Sequence, residues 1–138
     1  MNLALEWINT NLPPNATLAA MPMGVTLNYL SRRVNPTPCL DLTPHPLAVF
    51  GVEQMVALFR QNPPDYIALV EWQTYEFDGR YFGASSGYGG EVMTWVQENY
   101  RPVALFGSEP LKNGLFGIKI LKFKTSTQAP AQAQPVRK

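Results

Sequence analysis

The sequence predicts an α/β fold: a small mixed sheet of about four strands, with a parallel core and a C-terminal antiparallel hairpin, covered by about four helices. Three observations predict it. The first is a joint that occurs three times, at residues 7–18, 58–70 and 95–106, where an apolar helical stretch meets Asn, then proline, then an apolar strand. Asn tolerates the left-handed conformation that ends a helix. Proline lacks the N–H a helix needs and pushes its predecessor toward extended geometry. Each joint therefore switches helix to strand. The second observation is the continuous apolar run that follows Asp65, the mark of a strand buried on both faces and central in its sheet. The third is a pair of strand-like stretches, 102–106 and 116–124, separated only by a turn. So short a connection pairs them antiparallel.

In chain order, the first helix covers about residues 3–11, with Leu3, Trp7 and Ile8 on one side. Its short lead-in reads as the trimmed end of something longer. A strand over 17–21 turns at Pro22-Met23-Gly24 into a second helix, where Val25, Leu27, Tyr29 and Leu30 are the expected packing residues. That helix ends at Ser31-Arg32-Arg33, where cations relieve the helix dipole. Residues 34–50 carry Pro36, Pro38, Pro44 and Pro46 and read as extended connection, with a short strand near Cys39-Leu40. Gly51 opens the third helix, whose apolar side is Val52, Met55, Val56 and Phe59. A strand over 66–71 leads into a long loop, 72–87, and a fourth helix over 90–99 turns Val92, Trp95 and Val96 inward. Helix crossovers between the first three strands predict parallel neighbours. Residues 1–124 form one domain. The tail over 125–138, rich in Ala, Gln and Pro and without periodicity, reads as disordered.

Composition excludes several functions. The formal net charge is +1, which offers no global field for nucleic acid. Lys119, Lys122 and Lys124 alternate with apolar residues, as on a solvated strand face. The single cysteine, Cys39, rules out an internal disulfide and reads as a spectator thiol. The single histidine, His45, lies between two prolines and has no partner at metal-ligand spacing. No apolar run is long enough to span a bilayer, and Glu6 interrupts the N-terminal apolar stretch where a signal peptide would continue. No cofactor or metal is implied.

In open α/β sheets, ligands sit beyond the carboxyl ends of the parallel strands. The second strand opens there onto Glu71, Trp72, Tyr75, Glu76, Arg80 and Tyr81. Flat aromatic faces beside hydrogen-bonding carboxylates suit a sugar ring, and Glu71 and Glu76 are the acid–base candidates. The competing reading makes the aromatics a satellite core beneath a long loop, with Arg80 in a surface ion pair of little consequence. The glycine-rich stretch 83–90 leads into a helix but lacks the Lys-Ser/Thr ending of a phosphate-binding loop. Arg32 and Arg33 are candidates for a phosphate contact. No nucleophile–base pair is evident.

Residues 7–18 and Leu27-Asn28-Tyr29-Leu30-Ser31-Arg32-Arg33 resemble the start of the extramembrane C-terminal domain of bacterial membrane glycosyltransferases. These are the polyprenyl-phosphate-sugar-dependent enzymes related to protein mannosyltransferases and aminoarabinose transferases. Residues 62–70, Tyr81-Phe82-Gly83 and residues 95–103 continue the likeness in order. The resemblance implies an accessory domain on the periplasmic or outer face, non-catalytic by itself. Its partners would be the membrane part of the same or a neighbouring transferase, and a glycan or lipid-linked sugar. The catalytic carboxylate of such enzymes lies in the membrane part, so no catalytic residue carries over. The usual residue before the arginine is Gly, where this chain has Arg32. A free-standing carbohydrate-binding module is the alternative.

Overall fold

The computed structural model describes residues 2–72, 79–85 and 87–124. Among them are α1 (Asn2–Asn11), β1 (Leu18–Met21), α2 (Val25–Ser31), α3 (Pro44–Phe50), α4 (Val52–Gln61), β2 (Tyr66–Val70), α5 (Gly90–Asn99), β3 (Tyr100–Gly107) and β4 (Gly117–Phe123). The strands form one mixed sheet in the order β1-β2-β4-β3. β1 and β2 are parallel; β4 is antiparallel to both β2 and β3.

Strand alternation sorts the apolar residues onto two covered faces. Ala19, Met21, Ile67, Leu69 and Leu121 meet α4 and α5 through Met55, Phe59, Trp95 and Val96. Leu18, Ala20, Ala68, Val70, Ile118 and Ile120 meet α1 and α2 through Ala4, Ile8 and Leu27. β2 is buried at every position, as a central strand must be. The expected crossover pairing holds for β1 and β2. After α5 the chain instead reaches the sheet's far edge, and β4 returns into the slot between β2 and β3. β3 keeps the direction of β2 without touching it, and the hairpin's second strand, the more buried of the two, takes the central place.

The helix-to-strand joints are pinned by side chains. Thr17 and Asp65 clamp the starts of β1 and β2: the Thr17 N–H donates to Asp65 Oδ2 at 2.9 Å, and the Asp65 N–H donates to Thr17 Oγ1 at 2.8 Å. The Tyr100 hydroxyl donates to the Pro64 carbonyl at 2.6 Å. Asn11 and Asn99 donate back to the carbonyls of Trp7 and Trp95 in the last turns of their helices.

Four expectations are corrected. The proline-rich stretch holds a helix, α3, which starts on Pro44 at its first position. Proline is tolerated there because its missing N–H would have no intrahelical partner, so a proline that reads as extended instead opens a helix. Near Cys39-Leu40 there is no strand, only an isolated bridge from Met23 to Asp41. Leu3 is exposed while Ala4 turns inward beside Ile8. In α2 only Leu27 and Ser31 are buried, and Val25, Tyr29 and Leu30 face outward.

Candidate functional site

The carboxyl end of β2 opens into a cleft of about 540 Å³ between the sheet, α5 and two loops. Leu69, Val96 and Leu121 supply apolar walls, while Gln97, Glu109 and Lys119 are polar members. Lys119 Nζ donates to Glu109 Oε2 at 2.6 Å, with both side chains partly exposed. Lys119 thus belongs to an ion pair inside the cleft, and the solvated-face reading of the strand lysines fails for it. It shares the α4–α5 face of the sheet with Leu121.

Glu71 stands at the cleft's edge in a positioning role. Its Oε1 accepts the Leu111 N–H at 2.6 Å. Leu111 adopts φ 62°, a left-handed conformation that a leucine holds only when its surroundings fix it. The carboxylate therefore holds the turn carrying Glu109, and sequence spacing gave no signal of this contact across forty residues.

The second wall is formed by residues 81–85 and 87–88, which hydrogen-bond to one another. The Tyr88 N–H donates to the Tyr81 carbonyl, and the Gly83 N–H to the Tyr88 carbonyl. A Cβ at Gly87 would lie 1.8 Å from the Tyr81 carbonyl oxygen, so only glycine fits. The glycine-rich stretch is therefore a tight loop rather than a plain lead-in to α5. Arg80 lies over the Tyr88 ring, its Cζ 5.8 Å from the centroid. Burial pushes the Tyr88 phenol up to about 12, against the opposing pull of Arg80. Phe82 is buried in the main core with Leu69 and Val96, rather than in a satellite cluster, and meets Tyr88 edge-on. Tyr81 and Trp72 are half-buried. Tyr75 and Glu76 lie outside the described residues.

Arg32 and Arg33 lie far from this cleft in role. Arg32 caps α2 in the left-handed conformation, φ 56°, and is exposed. Arg33 is buried and reaches across to α1. Its Nη2 donates to the Leu12 carbonyl at 2.9 Å and its Nη1 to the Ser31 carbonyl at 2.7 Å. It neutralises the carbonyl ends of both α1 and α2. Asn28 Nδ2 donates to the carbonyls of Leu18 and Arg33, tying α2 to β1.

A second concavity, of about 390 Å³, lies between α3 and α4. Pro38, Leu40, Pro46, Phe50 and Leu58 make it almost wholly apolar. Cys39 lines it but is buried, and burial raises its thiol, which makes a poor nucleophile. The sequence did not single out this groove, because α3 itself was hidden by its prolines. Among the described residues no three His, Cys, Asp or Glu side chains converge as a metal site. No described helix is long and apolar enough to cross a membrane.

No family model, curated protein or solved structure matches this chain.

Proposed function

We propose that this chain is an extramembrane accessory domain of a membrane-embedded glycosyltransferase, on the periplasmic or outer face, and that it docks rather than catalyses. The observation that carries the reading is the distribution of uncovered apolar residues. Seven of the eleven large apolar residues that stay strongly exposed, among those described, fall between residues 25 and 50. Scattered exposure would need no explanation, but concentration within one stretch of chain points to an interaction region. The groove with Phe50 and Leu58 on its walls is the natural seat for an apolar segment of the membrane part. The ordered likeness of residues 7–18, 27–33, 62–70, 81–83 and 95–103 to such domains supports this choice of partner.

The test is a photoreactive amino acid at the Phe50 position in cells. The expected product is a cross-link to a polytopic membrane glycosyltransferase. Sugar transfer by those membranes should fall about tenfold or more with Phe50→Asp, since the substitution sets a charge in an apolar contact. Unchanged transfer, together with no cross-link to a membrane protein, would overturn the proposal.

A second reading, a carbohydrate-binding module, is favoured by the cleft holding the Lys119–Glu109 pair between apolar walls. Glycan titration lost in Glu109→Gln without loss of fold supports it. Silence across a broad glycan set counts against it.

A further inference from the structure

A third concavity, of about 560 Å³, lies on the outer side of α2. Val25, Tyr29, Leu30, Val34 and Leu40 form its apolar lining, with Arg32 and Arg33 among them. Among the described residues no carboxylate lines it. Tyr29 is 81% exposed and Val34 69%, and neither is covered by another part of the described chain.

The charge on this face is one-sided. Among residues 25–50 the only acid is Asp41, and its Oδ1 is occupied by the Thr43 N–H at 2.9 Å and the Thr43 hydroxyl at 2.6 Å. Among the described residues neither Arg32 nor Arg33 forms an ion pair. The Arg33 guanidinium donates only to carbonyls, and its buried Nε has no hydrogen-bond partner. A cationic centre without a counter-ion, ringed by exposed Tyr, Leu and Val, combines the two features of a bilayer-surface binder. Tyrosine sits at the headgroup level with its hydroxyl wet and its ring in the acyl boundary. Arginine stretches its apolar stem along the surface and places its charge on lipid phosphate.

We infer that the α2 face seats on an anionic lipid surface, with Arg32 on headgroup phosphate and Tyr29, Leu30 and Val34 in the interfacial zone. This rests on reading the chain as a membrane-attached domain but uses a different surface from the α3–α4 groove. Leu40 borders both concavities, so the two surfaces adjoin. A bilayer demands no fixed shape from its partner, which suits apolar residues contributed by both a helix and the loop that follows it.

The experiment is co-sedimentation of the full chain with vesicles of phosphatidylcholine, with and without phosphatidylglycerol. Binding is expected with the anionic vesicles and should weaken as salt is raised. Arg32→Gln should lower it about fivefold, the loss of one basic residue at a charged surface. Tyr29→Ser with Leu30→Ser should lower it about tenfold or more through lost apolar burial. Circular dichroism of the variants should match the parent, because these side chains are exposed. Equal binding to neutral and anionic vesicles, or binding to neither, overturns the inference. So does binding of inorganic phosphate by the chain without vesicle binding, which would indicate a free-anion site. If vesicles are not bound while the Phe50 cross-link to a transferase persists, the lipid inference falls and the accessory-domain reading stands.

Discussion

At the residue scale, the two adjacent arginines do unlike work. Arg33 is buried with three carbonyls around its guanidinium, from Ser31, Ile8 and Leu12. Arg33→Ala would strand those carbonyls in the interior and should cost about 2–3 kcal/mol in urea unfolding. Arg32 holds a left-handed position that favours glycine. Arg32→Gly should therefore raise stability by about 0.5–1 kcal/mol. Tyr100 is the other telling residue. Burial, reinforced by the nearby Asp65 charge, raises its phenol well above the ordinary value. A phenol whose folded pKa lies above its unfolded one stabilises fully below the unfolded value and loses that contribution as pH climbs past it. Stability should therefore decline above a pH of about 10. Tyr100→Phe should lower stability at neutral pH by about 1 kcal/mol, the net worth of the bond to Pro64, and flatten the alkaline decline. Thermal melts of both proteins across the alkaline range would check this.

At the element scale, the hairpin and its neighbouring turn shape the cleft. A Cβ at Gly117 would meet the Ser108 carbonyl oxygen at 1.6 Å, so β3 and β4 close only because that residue is glycine. Beyond the hairpin, Glu71 holds the Leu111 amide. Glu71→Ala should destabilise by about 1–2 kcal/mol, with faster hydrogen exchange at the Leu111 amide and little change in β1. An unchanged exchange rate there would show that the turn holds itself. The helix-to-strand joints were legible because proline and Asn act locally, through φ and the missing N–H. The α3 helix was illegible for the same local reason: proline signals both an extended chain and the first position of a helix, and only the packing of Leu47 into the core decides between them.

At the scale of the whole molecule, a sheet covered on both faces leaves one end of the α1–α2 layer uncovered. Leu27 goes into the core while its neighbours do not. Leu27→Ala should cost about 2–5 kcal/mol, whereas Tyr29→Glu and Leu30→Glu should change stability by less than about 0.5 kcal/mol. That contrast in denaturant titrations separates an interaction surface from a core. A large cost for the Tyr29 change would mean the side chain is covered after all.

The α/β class, the central place of β2, the hairpin and the inward faces of α4 and α5 are written into the sequence, since each follows from hydrophobic period and local backbone restriction. The candidate site was legible only in outline. The carboxyl end of β2, where the cleft opens, and Glu71 were both singled out, but the role of Glu71 as a brace for the turn at Leu111 depends on a contact across the fold. Which edge β3 would take, which apolar residues of α2 would stay outside and that Arg33 would reach across to α1 were decided by tertiary structure. Those outcomes depend on competition among distant segments for a limited buried area, and no stretch of chain carries that competition by itself.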